Sequence, residues 1–152
     1  KQLLEPMNLW KIGTNRADRL SRIHSLCEEC RIPTDSLFKK PSEFSGGQLQ
    51  RIAIMRALLL EPRFLIADEI VSALDVPVQN QILDLLLEMK ERYHLTVLFI
   101  THDLAVMHKM TDRMIVMKAG QLVSSGTFQE LADQSENSYF QELLSASYLF
   151  RK

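Results

Sequence analysis

The sequence predicts an α/β fold in which a parallel sheet, crossed by helices, follows a mostly helical leading segment. Two short apolar runs, Phe64-Leu65-Ile66-Ala67 and Thr96-Val97-Leu98-Phe99-Ile100, have the length and content of buried strands. Between them Val78, Ile82, Leu85, Leu86 and Met89 recur at helical spacing. This strand–helix–strand alternation over residues 63–110 is the pattern of parallel strands with right-handed crossovers.

Residues 1–44 read as polar helix, broken near Ile12-Gly13-Thr14 and again at Pro33, with one apolar face over residues 16–31. Pro33, Pro41 and Ser42 punctuate a loop. Ser45-Gly46-Gly47-Gln48 then opens a helix to about residue 60, with Ile52, Met55 and Leu59 on one face, and Glu61-Pro62 stops it. The first strand ends in Asp68-Glu69, and a helix follows over residues 78–92. The second strand ends in Thr101-His102-Asp103, before a helical stretch at 104–110. Residues 113–118 and 121–124 read as short strands joined at Ala119-Gly120, and the tail from Thr127 as amphipathic helix. There is no internal repeat and no low-complexity segment.

A chain of 152 residues, 46% of them hydrophobic, is long enough for a domain with a real core. Its formal net charge of −1, with no run of five or six like charges, argues against a surface built to grip nucleic acid or an anionic membrane. No apolar stretch approaches the length of a membrane span, and no signal-peptide pattern is visible. The first residue, Lys1, suggests a start inside a longer product. Cys27 and Cys30 form a C-x-x-C without a second pair of ligands, and they fall at helical spacing with Ile23 and Leu26. Both are expected to be small core residues in a reducing, cytosolic setting.

Three segments carry chemistry. Ser45 and Gln48 have capping-box spacing, which accounts for the pair without any ligand. It does not account for Gly46 and Gly47, since glycine in a helix disfavours it by about 1 kcal/mol relative to alanine. Bare glycines at a helix start leave backbone N–H groups open to an anion, so phosphate recognition stands beside capping. Asp68-Glu69 at the C-terminal end of a parallel strand faces the crevice where ligands of such sheets sit. There Asp68 suits Mg²⁺ held through water, and Glu69 suits a general base, although such a pair also serves as a plain loop cap. His102, at the end of the next strand, shares that crevice if the strands are neighbours and would then sense a terminal phosphate. His24, His94 and His108 have no such placement and are expected on the surface or in helix packing.

In order, Phe44-Ser45-Gly46-Gly47-Gln48, Phe64-Leu65-Ile66-Ala67-Asp68-Glu69, Ser72-Ala73-Leu74-Asp75 and Ile100-Thr101-His102-Asp103 resemble the signature motif, Walker B, D-loop and switch histidine of the ATP-binding cassette (ABC) family. The resemblance covers about residues 1–145. Ser72-Ala73-Leu74-Asp75-Val76, Val78-Gln79 and Gln81-Ile82-Leu83 are similar to its peptide and nickel importer branch. Tyr139, Leu143 and Leu144 match that branch's C-terminal motif, within Asn137-Ser138-Tyr139-Phe140-Gln141-Glu142-Leu143-Leu144. Phe44 replaces the usual leucine, and Ile70-Val71 replaces the usual proline–threonine after the glutamate.

The resemblance implies part of a P-loop NTPase, RecA-like, with an α-helical ABC subdomain. Residues 1–50 would be that subdomain, ending in the signature motif and receiving the permease's coupling helix. Residues 51–126 would be the second half of the ATPase core, and residues 127–152 a C-terminal helical extension. ATP and Mg²⁺ are the implied cofactors. Glu69 and His102 would be catalytic, and Asp68 would hold Mg²⁺ through water. Ser45, Gly46, Gly47 and Gln48 would bind the nucleotide held by a second ATPase subunit, with Asp75 at the seam. Two membrane permease subunits, and indirectly an extracytoplasmic substrate-binding protein, complete the implied assembly, at the cytoplasmic face of the membrane, with peptides or nickel and other metal complexes as cargo. No nucleic acid is expected.

A phosphate cradle needs G-x-x-x-x-G-K-S/T, and none of Gly13, Gly46, Gly47, Gly120 and Gly126 precedes a lysine; the chain also starts beyond the family's glutamine loop. Two other readings stay open. One is a module without ATPase activity that lends its signature motif to a partner. The other is a DNA-repair ATPase of the same family, for which the coiled coils, zinc modules and basic surfaces are not visible.

Overall fold

The structure, a computed structural model, describes residues 2–133 and 138–147. Asn137 of the C-terminal resemblance and the end of the 127–152 extension lie outside the described residues. The chain forms two compact units, Lys1–Leu98 and Phe99–Lys152.

The first unit begins with α1 (Leu4–Leu9) and α2 (Arg16–Glu29). They are separated where Gly13 takes φ +78° and the Arg19 Nε–H donates to the Ile12 carbonyl at 2.7 Å. Asn15 caps α2, its side chain accepting from the Asp18 N–H at 2.9 Å. The proline-rich loop contains two 3₁₀ turns, Thr34–Phe38 and Pro41–Glu43, before α3 (Gly46–Leu58). This helix stops slightly short of the expected residue 60, because Glu61 turns to φ +50° and donates its N–H to the Leu58 carbonyl. After β1 (Phe64–Asp68), α4 (Val76–Arg92) starts two residues earlier than the sequence pattern suggests. Pro77 in its first turn explains this, since the N–H that proline lacks has no intrahelical partner there.

Buried residues of α2 (Ile23, Leu26, Cys27), α3 (Ile54, Met55, Leu58) and α4 (Ile82, Leu83, Leu85, Leu86, Met89) make the interior of this unit. Cys27 Sγ lies 3.7 Å from Met55 Sδ, joining α2 to α3. Arg51 reaches from α3 to the Cys30 carbonyl and to Gln81 Oε1, each at 3.2 Å, tying in α4.

β1 pairs with β2 (Thr96–Ile100) in the parallel sheet that the crossover through α4 requires. The apolar runs read as fully buried strands, but the structure buries only part of each. Phe64 is 53% exposed, Ile66 58% and Leu98 44%, whereas Ala67 is buried. An apolar run marks both faces as fit for burial; whether both are covered depends on the elements packed against them.

In the second unit Asp103 caps α5 (Leu104–Met110). A hairpin of β3 (Met114–Lys118) and β4 (Gln121–Gly126) follows, with Met114 opposite Gly126 and Lys118 opposite Gln121. Its two-residue turn, Ala119 at φ +50° and Gly120 at φ +78°, matches the twist of the strands. Then come α6 (Phe128–Asp133) and α7 (Ser138–Ala146). Met114, Val116, Leu131 and Phe140 form the core here, with Phe128 edge-on to Phe140. Among the described residues no helix is long and apolar enough to cross a membrane.

Candidate functional site

Ser45 is the N-cap of α3, and both halves of the capping box are present. The Gln48 N–H donates to Ser45 Oγ at 3.3 Å, and the Ser45 N–H donates to Gln48 Oε1 at 3.0 Å. The two glycines differ. Gly46 is exposed and Gly47 is buried. A methyl group added at Gly47 would sit 2.5 Å from Val78 Cγ1, and one added at Gly46 would sit 3.2 Å from Leu74 Cδ2. The first turn of α3 is thus pressed against the segment that leads into α4.

That segment begins at the end of β1. Asp68 is exposed at the strand's last position, and Glu69 adopts φ +48°, a left-handed conformation that disfavours a non-glycine residue by about 1–2 kcal/mol. Ser72 closes the turn by donating to the Glu69 carbonyl twice, from its N–H at 3.2 Å and its hydroxyl at 2.9 Å. Asp75, exposed, is the N-cap of α4; its carbonyl accepts from the Gln79 N–H at 2.8 Å, while its side chain accepts no capping hydrogen bond from the helix start. One continuous path therefore connects Asp68, Glu69, Ser72, Leu74 and Asp75 to Val78, and through Val78 to Gly47.

His102 belongs to the other unit, exposed between β2 and α5. Its neighbour Asp103 fixes the start of α5, accepting from the N–H groups of Ala105 at 2.8 Å and Val106 at 3.4 Å, while the Asp103 N–H donates to Thr101 Oγ1 at 3.1 Å. His24 and His94 are exposed, and the His108 ring lies 4.3 Å from that of Phe128, as surface or packing histidines do.

Cys27 and Cys30 are fully buried free thiols, in keeping with their helical spacing. Burial raises both pKa values, that of Cys30 to about 12. No group of three or more candidate metal ligands occurs among the described residues. Asp68 alone fits Mg²⁺ only as one oxygen beside ligands from water and phosphate. A cavity of about 340 Å³ in the first unit is lined by Phe38, Lys39, Lys40, Phe44, Leu49 and Arg56, among others, and Phe38 there is 93% exposed.

Sequence reasoning identified the signature turn and the acidic pair but missed Leu74, Val78 and Ser72 as the residues that hold them. Val78 is visible in the sequence only as one apolar position of a helix; nothing in its spacing names Gly47 as the partner. The left-handed Glu69 leaves no composition signal either, beyond the absence of proline at position 70.

A family model described as ABC transporter matches residues 2–72. A putative peptide import ATP-binding protein of Brucella ovis is 45% identical over 95% of this chain and 45% of its own length. The oligopeptide transport ATP-binding proteins of Streptococcus mutans and Bacillus subtilis are 42% and 40% identical, each over 95% of this chain and 47% of their own. The chain thus spans about half the length of the curated relatives it matches. Among solved structures, an ATP-binding cassette dimer in a post-hydrolysis state bound to ADP and Pi is similar at TM-score 0.64 and 30% identity, covering 76% of this chain and 49% of that one. The cassette of another ABC transporter reaches TM-score 0.68 at 26% identity, covering 78% and 46%. The ordered motifs, the α/β core and these likenesses converge, and the chain belongs to the ATP-binding cassette family.

Proposed function

We propose that this chain serves in the ATP-hydrolysing subunit of an ABC importer for peptides, with nickel or other metal complexes as the alternative cargo of the same branch. The observation that carries this is the 45% identity to a peptide-import ATP-binding protein over nearly the whole chain, on top of four motifs in family order. In this reading Ser45, Gly46, Gly47 and Gln48 complete a nucleotide site whose phosphate cradle lies on a second ATPase subunit. The exposed Gly46, at the positive end of the α3 dipole, suits an approaching phosphate.

Asp68, Glu69 and His102 serve the other site of such a pair. Asp68 would hold Mg²⁺ through water, and the ion would neutralise phosphate charge there. Glu69 would take a proton from the attacking water, and His102 would contact the terminal phosphate. Asp75 lies at the seam between subunits. The helical segment 1–50 contacts the membrane permease, for which the basic and apolar groove beside Phe38 is suited. Residues 51–126 supply the ATPase core and 127–152 its extension. The assembly sits peripherally at the cytoplasmic face of the membrane, with two permease subunits and, indirectly, a substrate-binding protein.

Sedimentation velocity tests this pairing. The chain is mixed with a full-length oligopeptide-import ATPase subunit whose catalytic glutamate is replaced by glutamine. MgATP is expected to produce a one-to-one complex that disappears when ADP replaces ATP. Identical sedimentation with and without MgATP contradicts the proposal.

A further inference from the structure

We propose that Val78 is the positioning residue of the signature turn: it holds the first turn of α3 in place through Gly47, and this leaves Gly46 as the glycine that faces the nucleotide. This rests on the reading of Ser45-Gly46-Gly47-Gln48 as a nucleotide-binding turn.

The two glycines occupy different environments. Gly46 is exposed, and a Cβ there would meet only the flexible end of the Leu74 side chain, at 3.2 Å. Gly47 is buried, and a Cβ there would lie 2.5 Å from Val78 Cγ1 and 3.9 Å from Val78 Cβ. Val78 cannot readily move aside. It lies in the first turn of α4, where a β-branched side chain has one strongly preferred χ1 rotamer. Two residues before it, Val76 opens the helix beside Pro77, whose ring fixes the backbone. The contact is therefore backbone against a stiff side chain, the kind that sets a distance between two helix starts. It also supplies the reason for the second glycine that capping leaves unexplained: capping needs Ser45 and Gln48, a ligand needs Gly46, and packing needs Gly47.

Three sets of contacts fix the same turn from different sides. The capping box sets its backbone hydrogen bonds. Arg51, one turn further along α3, bridges to Gln81 of α4 at 3.2 Å and holds the two helices together beyond the glycine contact. Val78 sets how close they come at their starts. Because Val78 comes three residues after Asp75, at the end of Ser72-Ala73-Leu74-Asp75, the same contact couples the D-loop to the signature turn within one chain.

The test is a double-substitution cycle in the 152-residue chain: Gly47→Ala, Val78→Ala and the pair, each followed by thermal melting and by backbone amide exchange. Gly47→Ala is expected to lower Tm by at least about 4 °C, from overpacking against Val78. Adding Val78→Ala should restore at least half of that loss, whereas Val78→Ala should restore none of the loss caused by Gly46→Ala. Val78→Ala alone should speed exchange of the Gln48 and Leu49 amides about tenfold. It should also weaken MgATP-dependent association with the full-length partner about tenfold, and Val78→Ile, which keeps the branched carbon, should do neither. Independent, additive effects of Gly47→Ala and Val78→Ala would overturn the proposal, as would unchanged exchange and association in Val78→Ala. If the unsubstituted chain fails to associate with any partner, the nucleotide reading falls, while melting and exchange still decide whether Val78 positions the turn.

Discussion

Ser45 and Gln48 hold one another's backbone N–H groups, at 3.3 and 3.0 Å, across the first turn of α3. The side chains assigned to a partner's nucleotide are thus also those that start the helix, and because they only accept in the cap, the Ser45 O–H and the Gln48 NH2 keep their donors for a phosphate. Cap and ligand functions can be separated by substitution.

Aspartate caps helices as well as serine does, but its carboxylate repels phosphate. Ser45→Asp is expected to stay within about 0.5 kcal/mol of the parent in denaturant unfolding, whereas Ser45→Ala loses about 1 kcal/mol. Both should abolish MgATP-dependent association with a partner subunit. Retained association in Ser45→Asp would show that this turn only caps.

Glu69 tests the strained turn after β1. At φ +48° asparagine is tolerated and a β-branched residue is not. Glu69→Asn should therefore match the parent's stability, and Glu69→Val should lose about 1–2 kcal/mol in urea unfolding. Ser72→Ala, which removes the hydroxyl bond to the Glu69 carbonyl, should lose about 1 kcal/mol. Equal stability of the Asn and Val variants would mean that the turn relaxes away from the left-handed region.

The buried thiols make a prediction about pH. The Cys30 pKa is raised to about 12 and that of Cys27 is also raised, both chiefly by burial. A group whose folded pKa exceeds its unfolded value loses its stabilising contribution as pH climbs from the unfolded pKa through the folded one. Stability should thus fall between about pH 9 and 12, and Cys30→Ala should flatten that fall. Thiol titration at pH 8 should label neither cysteine in the folded chain and both in guanidinium. Fast labelling of the folded chain would contradict the burial.

The motif residues were readable from sequence because local chemistry fixes them: a cap needs Ser45, a strand end displays Asp68, and Asp103 starts α5. The helical spacing of Cys27 and Cys30 likewise pointed to the interior in which both lie. Helix ends shifted where one residue's backbone decided them, as at Pro77 and at the left-handed Glu61. Three features were not readable. The open face of β1, with Ile66 58% exposed, depends on what packs against it. The left-handed Glu69 depends on the turn that Ser72 closes, and the contact of Gly47 with Val78 joins residues 31 positions apart, which no periodicity connects.

No G-x-x-x-x-G-K-S/T run occurs in these 152 residues, and they therefore supply little of the electrostatic stabilisation of a transferring phosphate. Calorimetric titration of the isolated chain with MgATP is expected to show no binding tighter than about 1 mM. A micromolar dissociation constant would contradict this.

The central claim, that this chain completes an ATP site on a partner, is tested most directly by phosphate release. A full-length oligopeptide-import ATPase subunit whose own signature serine is changed to arginine, and which is silent alone, is titrated with this chain. Turnover is expected to appear and saturate at one chain per partner, to persist with Glu69→Gln in the chain, and to vanish with Ser45→Arg. No turnover at any ratio, or turnover indifferent to Ser45→Arg, would contradict the account.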